Sequence, residues 1–199
     1  YRLHEALVAL AHALWSLEQA ETEATPGVLM ATRRMQALER TRNLPPQTYT
    51  RLFGVDEVLT RLLEYLDDRD GHWVISLDGM AGLGKTAIAR EAASRMAQTD
   101  RFADMAWVTV RPIAYPPRRP LQLDIPALTC GQVLDTVANQ LSDVDLGPLR
   151  LPAKRERARE MLADRACLVV LDNLETALDC KAWPDWFWEM AEPSKFLLT

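Results

Sequence analysis

The chain has 199 residues, of which 48% are apolar and 26% charged, and carries a net charge of −5. That length supports one α/β domain, or a domain with a helical extension, and the composition is that of a globular protein with a sizeable core. Nothing in the bulk charge suggests nucleic-acid or membrane binding, and no apolar run reaches the roughly 18 residues of a membrane span. The N-terminus lacks a signal-peptide layout. Cys130, Cys167 and Cys180 are odd in number and widely spaced, so they read as buried, reduced thiols of a cytoplasmic protein. Because the chain starts at Tyr1 rather than Met, a fragment or a processed chain is expected.

Residues 1 to 43 are predicted to be helical. Leu3, Leu7, Leu10, Leu14 and Leu17 recur at alternating steps of four and three, an apolar stripe with a period of about 3.5 residues. The stretch Thr22-Glu23-Ala24-Thr25-Pro26-Gly27 breaks this helix. A second helix then runs from about Val28 to Arg40 with Met35 and Leu38 on its apolar side. Two helices with a short turn between them suggest an antiparallel hairpin. The leucine stripe spans barely two heptads, so core packing is expected of it, with coiled-coil pairing to a partner as the alternative. His4 and His12 have no carboxylate or Cys beside them and read as surface residues rather than metal ligands.

Asn43-Leu44-Pro45-Pro46-Gln47-Thr48 reads as a linker, since paired prolines block a helix and favour extended backbone. The domain boundary is placed there, with a helical segment over residues 1–45 and a second domain over 46–199. Leu52-Phe53-Gly54-Val55-Asp56-Glu57 leads into a helix that ends near Asp67 and carries Val58, Leu62 and Leu66 inward. The turn Asp68-Arg69-Asp70-Gly71 delivers the chain to Trp73-Val74-Ile75-Ser76-Leu77, an apolar run of strand formers.

Next come Gly79-Met80-Ala81-Gly82-Leu83-Gly84-Lys85-Thr86, which match the phosphate-binding pattern G-x-x-x-x-G-K-[ST] at every fixed position. Downstream, residues 86–97 form a strong helix, with Ile88, Ala92 and Met96 on one face. Strand, glycine-rich turn and helix are the context this motif needs. Glycines let the backbone curl so that successive N–H groups point inward as an anion nest. The nest sits on a helix N-terminus, whose unpaired amides and dipole favour phosphate. Lys85 would reach the β- and γ-phosphates and the Thr86 hydroxyl would ligate Mg²⁺.

A second strand is predicted over residues 104–110, followed by an irregular loop from Arg111 to Ala127 that is rich in proline and includes Arg118 and Arg119. Helices are expected over residues 131–141 and 153–163, separated by an acidic loop through Asp143 and Asp145. Cys167-Leu168-Val169-Val170-Leu171-Asp172 is a continuous apolar run ending in a carboxylate, the pattern of a strand buried on both faces of a parallel sheet. Ligands in open α/β sheets sit at the C-terminal ends of such strands, which makes Asp172 a candidate Mg²⁺ partner. Glu175 could orient or deprotonate an attacking water, whereas Asn173 could only position one. Trp183 to Trp188 holds three tryptophans and a phenylalanine, for which packing over the sheet is expected. Lys195-Phe196-Leu197-Leu198-Thr199 begins another apolar strand.

Taken together, these segments resemble the signal-transduction NTPases of the STAND class, specifically the NB-ARC type of bacterial regulators and of plant and animal immune switches. A bacterial member is the expectation. Phe53-Gly54-Val55-Asp56-Glu57 looks like the segment that lies against adenine, Gly79 to Thr86 like the phosphate loop, and residues 105–110 like the second strand. Leu168 to Glu175 resembles the Walker B segment, and Ser194 to Thr199 the sensor strand. The resemblance covers about residues 48–199. It implies a parallel-sheet P-loop NTPase core, a three-layer sandwich of the AAA-like kind cut short at its C-terminus, with strand order 5-1-4-3-2 and the fifth strand missing. The phosphate-loop strand would then stand at a sheet edge. Two positions depart from the family: Val55 stands where Arg is usual, and Asn173 where a second acidic residue often follows Asp172.

The function implied is an ATP/ADP-binding switch with slow, Mg²⁺-dependent hydrolysis, a weak ATPase at most. Protein partners or self-association would act through the helical regions. Two alternatives use the same loop. A phosphoryl-transfer kinase would need a lid, for which Arg118 and Arg119 are the available pair. A non-hydrolysing scaffold would use nucleotide only to stabilise its fold. A GTPase is disfavoured, because no Asn-Lys-x-Asp guanine motif occurs.

Overall fold

The computed structural model describes residues 26–110, 127–142, 144–174 and 183–199. The leucine stripe and the helix pairing expected of it lie outside these residues, as do His4, His12, Arg118, Arg119, Glu175 and Cys180. Two compact units divide the chain at Gln36–Ala37. Helix α1 (Pro26–Arg40) begins in the first and ends in the second. Its Met35 and Leu38 are exposed rather than buried against an apolar neighbour.

From Ala37 onward the order is α2 (Asp56–Asp67), β1 (Val74–Ser76), α3 (Lys85–Met96), β2 (Asp104–Thr109), α4 (Cys130–Ser142), α5 (Leu151–Asp164), β3 (Cys167–Asp172), α6 (Trp183–Met190) and β4 (Lys195–Leu198). All strand pairs are parallel, in the order β1-β4-β3-β2. The last strand in sequence thus inserts between the first and the third, and β1 stands at an edge, as the resemblance implies. The fold is an α/β P-loop NTPase core.

Side-chain alternation along the central strand builds two core layers. Cys167, Val169 and Leu171 of β3 face α4, α5 and α6, together with Ala106, Val108 and Phe196. Leu168 and Val170 face the opposite way, onto α2 and α3, with Met105, Trp107 and Leu197. Every residue of β3 is buried, which its unbroken apolar run anticipates. On α3, Ala89, Ala92 and Ala93 are fully buried, and their small side chains let this helix approach the sheet closely. Helix α2 buries Leu59, Leu62 and Leu66, each worth about 1.5–3 kcal/mol of transfer free energy. Leu62 and Leu66 face inward as the spacing suggested, but Val58 is 45% exposed and Leu59 takes its place. Of the aromatic cluster, Trp186 and Phe187 pack over the sheet, Phe187 with its ring 4.9 Å from that of Phe196, while Trp188 is exposed.

Strand β2 forms the other edge, and side chains cover its outward backbone groups. Gln140 of α4 accepts from Trp107 N–H at 2.8 Å and donates to Trp107 C=O at 2.9 Å, as a partner strand would. Asn43 donates to the Met105 carbonyl at 3.0 Å, and Arg42 pairs with the buried Asp104 at 2.7 Å. An edge satisfied in this way is no longer a template for another chain. The segment carrying Arg42 and Asn43 is therefore fastened to the sheet, while Arg90 of α3 donates to the Pro45 carbonyl at 2.8 Å.

Cys130 and Cys167 are both buried. Desolvation pushes the Cys167 thiol up to about 11. At pH 8 only about one molecule in a thousand would then carry the reactive thiolate there. Cys167 is expected to resist alkylation in the native chain and to label within minutes in denaturant, as read by peptide mapping; equal labelling in both states would contradict its burial.

Candidate functional site

The loop Gly79–Thr86 joins β1 to α3 at the C-terminal end of the sheet. Gly84, with φ 85° and ψ 21°, is the N-cap of α3, and Gly82 has φ 84°. Both lie in the left-handed region, which costs an L-residue roughly 1–2 kcal/mol. The Gly84 carbonyl accepts the first intrahelical bond, from Ile88 N–H at 2.9 Å. The amides of residues 85–87 begin the helix and so have no carbonyl one turn earlier within it. Met80 and Leu83 are exposed, and Lys85 Nζ donates to the carbonyls of Gly79 at 2.7 Å and Met80 at 3.3 Å.

Across from this loop stands Asp172 at the end of β3, only 3% exposed. Its Oδ1 accepts from the Thr86 hydroxyl at 2.6 Å, so residues 86 positions apart in sequence meet here. Oδ1 also accepts from the Thr199 hydroxyl at 2.7 Å, and Oδ2 from Thr109 Oγ1 at 3.4 Å. Among the described residues no Arg, Lys or His forms an ion pair with Asp172, and hydroxyl donors offset the burial of its charge. Sequence reasoning missed the contacts of Thr109 and Thr199. Their signal is a threonine at the C-terminal end of each strand flanking β3.

The other anticipated residues stand as follows. Phe53 is 77% exposed, with the Arg51 guanidinium 5.0 Å from its ring centroid. Gly54 has φ 71° and precedes Val55, the N-cap of α2. Among the described residues no hydrogen bond joins Phe53 or Gly54 to the phosphate loop. Asn173 has φ 60°, a conformation Asn tolerates better than most residues. Glu175 falls outside the described residues. No described helix is long and apolar enough to cross a membrane.

A carboxylate and a hydroxyl are hard oxygen donors that suit Mg²⁺ rather than a soft metal. Asp172 and Thr86 therefore fit that ion, and the glycine turn ahead of α3 fits a phosphate chain.

Comparison with known proteins agrees with this fold. The model of the NB-ARC domain matches residues 54–186. Among curated proteins, the chain is 27% identical over 140 residues to the probable disease resistance protein RXW24L of Arabidopsis thaliana. It is 31% identical over 143 residues to the disease resistance protein RGA5 of Oryza sativa subsp. japonica. Each match takes in 70% of this chain but only 14% and 12% of those two proteins. A shorter stretch of 66 residues, 33% of this chain and 7% of the relative, is 36% identical to the disease resistance protein RPH8A of Arabidopsis thaliana. These relatives are plant proteins and give the bacterial expectation no support. The family match spans the phosphate loop, β2 and β3 in one continuous stretch, and the chain belongs to the NB-ARC family of nucleotide-binding domains.

Proposed function

We propose that this chain carries the nucleotide-binding half of an ATP/ADP switch in a cytoplasmic defence or regulatory protein. The observation that supports it best is the 2.6 Å bond between Thr86 and Asp172 beside a glycine loop that caps α3. The names of the relatives, all disease resistance proteins, favour a role in defence. In this reading the loop of residues 79–86 holds the phosphate chain and Lys85 neutralises its β and γ groups. Phe53 and Gly54 lie against the base. Thr86 and Asp172 hold Mg²⁺, which would supply positive charge against the phosphate oxygens. Glu175 acts as the base for a slow hydrolysis, since Asn173 has no proton-accepting carboxylate to offer.

A nucleotide biases such a switch only through contacts present in one state and lost in the other. Residues 1–45 are then effector-side or linker helices, through which protein partners or self-association would act. Calorimetric titration with ATP and ADP in magnesium tests the reading. Saturable binding of either is expected. Undetectable binding of both at millimolar concentration would remove the switch from consideration.

A further inference from the structure

The insertion of β4 between β1 and β3 has a chemical consequence at the top of the sheet. Register pairs Thr109 with Asp172 on one side and Leu198 with Leu171 on the other. Asp172 is thereby flanked by Thr109 and Thr199, the residues that end β2 and follow β4. The backbone holds Thr199 there beyond the end of the strand. Its N–H donates to the Leu171 carbonyl and its own carbonyl accepts from Leu174 N–H, both at 3.0 Å. The Thr109 oxygen accepts from Trp107 Nε1 at 3.2 Å, which leaves its own proton to turn toward Asp172 Oδ2.

We propose that Thr199, assisted by Thr109, is a positioning residue that fixes the Asp172 carboxylate for a magnesium ion shared with Thr86. The proposal rests on the nucleotide-site reading above. Its physical basis is a division of lone pairs. An ionised carboxylate offers about two acceptor sites on each oxygen. On Oδ1 both are taken, by Thr86 at 2.6 Å and Thr199 at 2.7 Å, while among the described residues Oδ2 accepts the long bond from Thr109. Thr199 thus anchors the oxygen it shares with Thr86 and leaves acceptor capacity on Oδ2. A short bond from a backbone-pinned residue holds the carboxylate more firmly than a 3.4 Å bond, so Thr199 carries the larger share.

Threonine-to-valine keeps the shape of the side chain and removes the donor. In the 199-residue chain, Thr199→Val is expected to raise the Mg²⁺ concentration needed for tight ATP binding by about 10- to 100-fold, the usual cost of losing a metal ligand's outer partner. ATP affinity measured in EDTA should stay within about twofold and the melting temperature within a few degrees, because only the orientation of Asp172 is disturbed. Thr199→Ser restores the hydroxyl and should restore the magnesium response. Thr109→Val should cost only a few fold, in line with its longer bond.

A wild-type magnesium response in Thr199→Val overturns the proposal. So does an equal loss with and without magnesium, or a Ser variant that behaves like Val. ATP affinity in the wild-type chain that is the same in magnesium and EDTA also overturns it. If Thr199→Val does not fold, Thr109→Val carries the test, and an unchanged magnesium response there counts against the proposal. Should the wild-type chain bind no ATP under any condition, the nucleotide reading falls as a whole. Binding with unaltered variants removes only the role given to Thr199 and Thr109.

Discussion

Lys85→Ala is expected to weaken nucleotide binding at least about 100-fold and to leave the melting temperature within about 2 °C of wild type. The two halves have different causes. A hydrogen bond between charged groups is worth about 1.5–3 kcal/mol, and an ammonium that meets two phosphate groups makes at least two such bonds. That sum exceeds the roughly 2.8 kcal/mol of a 100-fold change. Stability should hardly move, because among the described residues Lys85 Nζ donates only to the carbonyls of Gly79 and Met80, and both of those residues are exposed. Water can replace the lost donor at an exposed carbonyl. Calorimetry and thermal melting on one preparation separate the two effects. Retention of ATP affinity within threefold would detach Lys85 from the phosphates.

Lys195→Met is expected to have the opposite signature, with about 2–4 kcal/mol of stability lost and little direct effect at the loop. Lys195 is fully buried at the start of β4. Its ammonium donates to the carbonyls of Tyr65 at 2.7 Å, Gly71 at 2.6 Å and His72 at 3.2 Å, and lies 5.3 Å from the centroid of the Trp73 ring. One side chain thus closes the end of α2 and the following turn onto the central sheet. The turn is itself ordered by Asp68, which accepts from Asp70 N–H at 3.0 Å and lies 2.7 Å from the His72 ring nitrogen. The same two partners hold the Asp68 carboxyl below its usual range.

Methionine fills most of the space of lysine but leaves three carbonyls without their donor. The loss of those bonds outweighs the relief of removing a buried charge, because one partner of a satisfied cluster has been deleted and the others remain. Denaturant unfolding measures the difference, and a variant as stable as wild type would show that water reaches those carbonyls.

A pH dependence follows from the same burial. Desolvation, and then the nearby Arg101 charge, draw the Lys195 ammonium down to about 8. Unfolded lysine titrates near 10.4, so between about pH 8 and 10.4 the unfolded chain binds more protons than the folded one. Wild-type stability relative to Lys195→Met should therefore rise across that window and level off below it. A difference that stays flat from pH 7 to 10 would place the folded-state value back near that of free lysine.

Much of the architecture was legible from local pattern. The phosphate loop announces itself because glycine, lysine and threonine are needed at fixed chain positions, and neighbouring positions in a tight turn are neighbours in space. The burial of β3 on both faces follows from six consecutive residues that leave no polar side for solvent. The inward face of α2 was misread at Val58 because Val58 and Leu59 are adjacent apolar residues. Periodicity alone does not say which of two such neighbours turns inward; packing against α3 and the sheet does.

By itself, then, the sequence determined which of the described segments are strands and helices, that a glycine-rich loop joins β1 to α3, and that Asp172 ends a buried strand. The fold decided what Asp172 meets. Thr86, Thr109 and Thr199 lie 86, 63 and 27 positions from it; the pairing of β2 with β3 sets Thr109 beside it, and the entry of β4 between β1 and β3 brings Thr199. Likewise nothing local marks Gln140 as the partner of the β2 edge, or Lys195 as the clamp on a turn more than 120 residues earlier. Residue type and spacing record what a segment prefers for itself, whereas a polar group's partner across the sheet is set by strand order and register, which only the assembled chain possesses.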